Sequence, residues 1–329
     1  MNATITSIGI YAPESKIDNL HFEKIIDTNY EWIRQRTGIQ NRYYAKEDEY
    51  TSDLCVHAVE NLLESNEADI ADVDFIIVAT STPDHAVPSV ASQVQARLGI
   101  KKAGCIDISA ACAGFVYGII LAKGLIASGA YNKILIIGAE TLSKVTNFAD
   151  RTSCILFGDG AGAIIIEASA ENFVFKGLTE TDGSYGQDLY LSHQPAKIND
   201  QKIIDDNKLH QNGRAVFKWA ISTLVEKTKD LIALNERSLQ DVDWLVPHSA
   251  NLRILEAACE GLDFPINKCL ESIKEYGNTS AASIPIAWFN GLKSGKVKVN
   301  DMIILAGFGG GLTFASTLIQ NKIALKILK

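Results

Sequence analysis

The chain switches repeatedly between short apolar runs and longer stretches in which apolar positions recur every three to four residues. Runs such as 73–79, apolar but for Asp74, and 134–137 carry apolar residues on both faces, which suits strands in the middle of a sheet covered on each side. Residues 4–11 predict a first strand ended by Pro13, 105–108 another, and 244–246 another; 302–319 has a strand–turn–strand pattern. Helical periodicity predicts short helices at 19–26 and 88–98. It also predicts an amphipathic helix over 51–64, where Leu54, Ala58, Val59 and Leu62 share a face behind a Thr51-Ser52-Asp53 cap region. A further helix runs to Ser128, and another spans 213–234. Residues 31–38 are basic and aromatic and are read as a turn region, as is the Gly158–Gly162 stretch. Residues 179–212 are polar and poorly periodic, which predicts a long surface excursion.

A repeat organises these elements. Asp72-Val-Asp74-Phe resembles Asp241-Val-Asp243-Trp, Gly124-Leu-Ile resembles Gly291-Leu-Lys, and the strand ending at Gly138 resembles the one ending at Gly307. The offsets are 169, 167 and 169, in the same order. Two copies of one α/β unit, residues 1–170 and 171–329, are therefore expected to form a layered α/β/α/β/α arrangement with two mixed sheets.

Composition narrows the function. With 47% apolar and 21% charged residues the chain reads as an ordinary globular enzyme. A net charge of −8 argues against nucleic acid or an anionic membrane as partner. The six cysteines show no CxxC pair and no metal-ligand spacing, so no metal site is expected. The opening residues lack a positive region and a long apolar core, and no segment reads as a membrane span. The expected location is cytoplasmic, with reduced cysteines.

Cys112 follows an apolar strand and the small residues Ser109-Ala110-Ala111, and precedes a helical pattern. A helix start supplies free N–H groups and a dipole that favour a thiolate. The repeat gives Cys112 a counterpart near Asn278, and ends the second copy's strand at His248. A pseudo-twofold arrangement would bring Cys112, His248 and Asn278 into one cleft. Cysteine is then a nucleophile for a thioester, while imidazole and amide donate to one developing oxyanion, as decarboxylation of a malonyl thioester needs. The glycine run 307–311 offers a backbone N–H for a second oxyanion hole. Singly, each has a plain structural reading: a small core cysteine, a satisfied histidine, an asparagine turn, a tight glycine turn.

These residues sit in motifs that resemble the β-ketoacyl-acyl carrier protein synthase III family of thiolase-fold condensing enzymes, over the whole chain. The motifs are Trp32-Ile-Arg-Gln-Arg36-Thr-Gly, Ala110-Ala-Cys112-Ala-Gly-Phe, Asp150-Arg151, Phe157-Gly-Asp-Gly-Ala-Gly, Val246-Pro-His248-Ser-Ala-Asn251-Leu-Arg253, Tyr276-Gly-Asn278-Thr-Ser and Gly307-Phe-Gly-Gly-Gly-Leu-Thr. With Glu140-Thr-Leu-Ser-Lys, they are similar to the second synthase paralogue of some Gram-positive bacteria. The resemblance implies a ping-pong condensation that starts type II fatty acid synthesis. An acyl-CoA primer loads Cys112, and malonyl-acyl carrier protein then loses carbon dioxide and attacks, giving 3-oxoacyl-acyl carrier protein. Both thioesters are substrates, and no cofactor is implied. By the same resemblance, His248 and Asn278 handle the enolate and the N–H groups of Cys112 and Gly310 form the oxyanion hole. Trp32 and Arg151 sandwich the CoA adenine, Arg36 meets phosphate, and Thr28, Gly213, Phe217 and Asn251 line the pantetheine tunnel. Lys218 and Arg253 dock the acidic carrier protein, and the implied state is a homodimer.

The sequence departs from the family pattern in three places. Ser249 replaces the usual Gln, Glu256 and Glu260 stand where further cations are common, and Val87 replaces a Phe that lines the partner's acyl pocket. The small Val87 side chain leads to an expected preference for branched or longer primers. Competing readings are a related condensing or acyl-transferring enzyme of secondary metabolism and a catalytically silent acyl-binding homologue. A thiolase would want a second cysteine in the C-terminal glycine loop, where Leu312-Thr313-Phe314 has none.

Overall fold

The computed structural model describes residues 1–193 and 195–326. Five strands form the first sheet: β1 (Asn2–Tyr11), β2 (Phe75–Ala79), β3 (Gly104–Ile108), β4 (Lys133–Glu140) and β5 (Gly160–Ser169), in the order β1-β5-β4-β2-β3. Four form the second: β6 (Val174–Thr181), β7 (Trp244–Pro247), β8 (Met302–Gly309) and β9 (Thr313–Gln320), in the order β7-β8-β9-β6. Both sheets are mixed. β3, β2 and β4 are parallel and β5 and β1 antiparallel to their neighbours; β7 and β8 are parallel, β9 and β6 antiparallel. The second sheet thus repeats the first, and a lone bridge from Leu245 to Cys269 stands where β3 pairs with β2.

Side-chain alternation along the strands explains the layers. Ile134, Ile136, Ile303 and Leu305 point inward and pack on two central helices, α4 (Gly114–Ala127) and α8 (Ser283–Lys293), together with Ile119, Ile284 and Trp288. Leu135, Ile137 and Ile165 point outward onto α2 (Thr51–Ser65) and α3 (Val90–Arg97). Ile304, Phe314 and Leu318 point outward onto α5 (Gly213–Leu234) and α6 (Leu252–Leu262). The result is the five-layer α/β/α/β/α architecture expected from the repeat.

Several local readings change. Residues 31–38 are not a turn: Tyr30–Thr37 is a helix (α1), capped by the Asn29 side chain and ended by Gly38 in the left-handed region. The Gly158–Gly162 stretch runs straight into β5. Residues 19–24 form a 3₁₀-helix, and the 179–212 excursion carries short strand pairs and a 3₁₀ segment. A short helix, α7 (Ile273–Tyr276), precedes the turn that carries Asn278.

Candidate active site

The repeat places two equivalent turns at the starts of the central helices. Ala111–Ala113 and Ser280–Ala282 are both 3₁₀ turns leading into α4 and α8. Their first residues, Ala111 (φ 45°) and Ser280 (φ 49°), both lie in the left-handed region. The structural counterpart of Cys112 is therefore Ala281, not Asn278, which precedes the second turn. The offset had shifted because α8 has 11 residues and α4 has 14. Each turn rests on a glycine of the other copy: Gly138 abuts the Ala281 carbonyl, and a Cβ on Gly307 would lie 3.1 Å from the Cys112 carbonyl oxygen.

Cys112 lies in the 3₁₀ turn, two residues before α4 begins. Its thiol, in side-chain hydrogen-bond contact with Ser280, is pushed up to about 12, chiefly by burial, and the Glu140 charge adds to the rise. The expectation of a ready thiolate is thus corrected: desolvation outweighs what the helix start supplies.

His248 follows β7, where its N–H donates to the Ala306 carbonyl at 2.8 Å. The ring is 1% exposed, its Nδ1 is 2.7 Å from Ser283 Oγ, and Phe308 packs edge-on at 5.1 Å. Burial lowers the imidazole to about 3, partly offset by a backbone hydrogen bond with Ser280, so the ring is neutral at working pH. Asn278 is pinned by a bridge to Phe157, through Asn278 N–H to Leu156 and Gly158 N–H to the Asn278 carbonyl. Its side-chain oxygen accepts the Ser280 N–H at 2.9 Å, which turns the amide NH₂ the other way.

Cys112, His248 and Asn278 line one cavity of about 1530 Å³, together with Phe308 and Gly309–Gly311. A Cβ on Gly309 would stand 2.7 Å from the Cys112 backbone nitrogen, so the glycine run closes directly over the cysteine. Trp32, Arg36, Gly213, Phe217 and Asn251 line the same cavity. Arg151 does not, but its guanidinium stacks 5.5 Å from the Trp32 ring and pairs with Asp27. Lys218 and Arg253 are exposed outside the cavity, Arg253 stacked 5.7 Å from the Phe217 ring at its rim. Thr28 is absent from the lining, and its hydroxyl is buried without a partner. Val87 also lies off the lining and is 85% exposed, although Pro83–Ala86 just before it do line the cavity.

Two residues that the sequence reading passed over hold this site together. Ser280 meets Cys112 with its side chain and His248 and Asn278 with its backbone, and its hydroxyl donates to Glu140 at 3.0 Å. Glu140 is 0% exposed at the end of a strand that is apolar from Ile134 to Ala139. That lone carboxyl in a buried run was the available signal.

No helix among the described residues is long and apolar enough to cross a membrane. A family model described as 3-oxoacyl-[acyl-carrier-protein (ACP)] synthase III matches residues 106–183, and its C-terminal counterpart matches 232–321. The beta-ketoacyl-[acyl-carrier-protein] synthase III 2 of Staphylococcus epidermidis is 50% identical over 323 residues, covering 97% of this chain and 98% of that one. The protein of the same name from Bacillus subtilis is 47% identical over 319 residues, covering 97% and 98%. The solved synthase III of Thermus thermophilus superposes with a TM-score of 0.93 at 39% identity, covering 96% and 98%. With the fold, the motifs and these likenesses in agreement, the chain belongs to the 3-oxoacyl-[acyl-carrier-protein] synthase III family of condensing acyltransferases.

Proposed function

We propose that the chain joins an acyl-CoA primer to malonyl-acyl carrier protein with loss of carbon dioxide, giving 3-oxoacyl-acyl carrier protein. Cys112 is the nucleophile. His248 and Asn278 bind the thioester oxygen of the malonyl unit and stabilise the enolate as carbon dioxide leaves. The Ser283 hydroxyl accepts the Ser249 N–H at 3.3 Å and is free to donate to His248 Nδ1, which leaves the proton on Nε2. The backbone N–H groups of Cys112 and Gly310 hold the acyl oxyanion. The observation that carries this reading is the convergence of one thiol, one neutral imidazole and one free amide at the buried end of a single long cavity.

At the exposed end, Trp32 and Arg151 sandwich the CoA adenine, Arg36 meets its phosphate, and Gly213, Phe217 and Asn251 flank the pantetheine arm. Lys218 and Arg253 receive the acidic carrier protein at the rim. The chain acts as a homodimer: β3 is an edge strand carrying an exposed Ile106, and the exposed Val87 reaches the partner's acyl pocket. Its small side chain widens that pocket for branched or longer primers. Intact mass after incubation with acyl-CoA tests the first half, with an adduct expected that Cys112→Ala abolishes. Rates with acetyl-, isobutyryl-, isovaleryl- and octanoyl-CoA plus malonyl-acyl carrier protein test the second. A strict acetyl preference rules out the wide pocket.

A further inference from the structure

Glu140 is a buried carboxyl that the mechanism above leaves without work. Its Oε2 accepts from Thr82 Oγ1 at 2.7 Å and from Thr80 Oγ1 at 3.4 Å, its Oε1 accepts from Ser280 Oγ at 3.0 Å, and the Ser81 N–H lies 3.1–3.2 Å from both oxygens. Among the described residues no cation pairs with it, so only neutral donors offset its burial. Ser280 and Cys112 sit in the two equivalent 3₁₀ turns, line the same cavity and are in side-chain hydrogen-bond contact. Because the Ser280 proton is directed at Glu140, its oxygen is open to the Cys112 thiol. The arrangement offers a proton two steps, from S–H to Oγ and, along the 3.0 Å hydrogen bond, from O–H to carboxylate.

We infer that Ser280 and Glu140 form a proton relay that takes up the Cys112 proton when the acyl-enzyme forms and returns it when the product leaves. The inference rests on Cys112 being the nucleophile. In acylation the sulfur bonds the primer's carbonyl carbon, and CoA leaves with the carbon–sulfur electron pair and takes a proton from water. As the bond forms, the thiol proton moves to Ser280 Oγ and the Ser280 proton moves to Glu140. In condensation the malonyl carboxylate departs as carbon dioxide and the enolate carbon bonds the acyl carbon. Cys112 then leaves with the electron pair, and the relay runs backwards to restore thiol and carboxylate. Over the cycle one proton is consumed, by CoA.

The alternative acceptor, His248, suits the task less well. Its burial lowers the imidazole to about 3, whereas burial raises Glu140 to about 7, making the carboxylate the stronger base. The titratable groups around Glu140 are Cys112, His248 beyond Ser280, and Cys55, which feels its charge from α2.

Single-turnover acylation, followed by intact mass across pH 5.5 to 9, tests the relay. The wild type should show a limb that rises with pH near 7. Glu140→Gln and Ser280→Ala should acylate about ten- to a hundredfold more slowly, the size expected for a lost general base. Glu140→Gln should also lose the limb, and Glu140→Asp should restore part of both. The ratio of the acylation rate to the malonyl decarboxylation rate should fall by about tenfold, because decarboxylation uses His248 and Asn278; a general structural defect would lower both rates together and overturn the relay. If Glu140→Gln does not fold, the wild type still decides: two protons in flight predict a curved dependence of the acylation rate on the deuterium fraction of the solvent, and a straight line overturns the relay. An adduct that survives Cys112→Ala removes the nucleophile itself. A Cys112 adduct with an unchanged rate in Glu140→Gln removes the relay alone.

Discussion

A neutral His248 has a consequence for stability that can be measured without any substrate. Its ring is 1% exposed and burial holds it at about 3, against 6.5 for an open imidazole. Below 6.5 the unfolded chain binds a proton that the folded chain refuses. The stability contribution is therefore complete above 6.5 and drains away as the pH falls toward about 3. Each unit of that window is worth about 1.4 kcal/mol, so between pH 7 and pH 5 this one ring should remove about 2 kcal/mol. Glu140 and Asp159 act in the opposite sense: burial raises them to about 7 and about 6, and they gain stability as the pH falls. Comparing wild type with His248→Gln cancels those terms, since both proteins keep them. Urea unfolding at fixed protein concentration, at pH 7, 6 and 5, is the assay. The wild type should lose about 2 kcal/mol more than the variant over that range. Parallel curves would show that the imidazole takes up a proton in the folded state, and would remove the neutral donor from the mechanism.

Three further outcomes are expected. Gly307→Ala places a Cβ 2.6 Å from Ala113 Cα, so the nucleophile turn must shift; acyl-enzyme formation should fall at least about tenfold with a lowered urea midpoint. Trp32→Ala and Arg151→Ala should each raise the KM for acyl-CoA about three- to tenfold with little change in kcat, because each removes one side of a stack worth roughly 1 kcal/mol. Lys218→Glu and Arg253→Glu should raise the KM for malonyl-acyl carrier protein several-fold more than the KM for acyl-CoA, and the effect should shrink in high salt.

The layers were legible because the central strands are largely apolar and recur at one offset. The first helix was not. Within Tyr30–Thr37 only Ile33 and Thr37 are buried, so the apolar periodicity is nearly absent, and the Asn29 cap and Gly38 stop were the only marks. The ends of the central helices misled the register: Gly129 and Gly295 align at 166, the flanking strands at 169, because the second helix lost a turn. That is why Asn278 read as the counterpart of Cys112. The cysteine's protonation was hidden for a different reason. A sequence shows that a helix follows, but it shows neither the burial that raises the thiol nor the nearby Glu140 charge that adds to it.

The duplication also explains how one turn became two different halves of a site. Gly138 carries the Ala281 carbonyl and Gly307 carries the Cys112 carbonyl, so each copy's sheet positions the other copy's turn. The spacing between the turns is then fixed by backbone on backbone contact, which a side chain's rotamer cannot relax. Within that frame the first copy presents the residue after the left-handed position, Cys112, to the cavity. The second copy buries the equivalent Ala281 completely and uses the left-handed residue itself. Ser280 stands out from its turn at φ 49° and reaches the thiol, the imidazole, the Asn278 amide and Glu140 at once. A residue that touches every reacting group, on a backbone conformation that side chains seldom adopt, is where sequence change in this site is least tolerated. Ser280→Gly, which keeps the turn and removes the hydroxyl, therefore separates what the geometry does from what the proton path does.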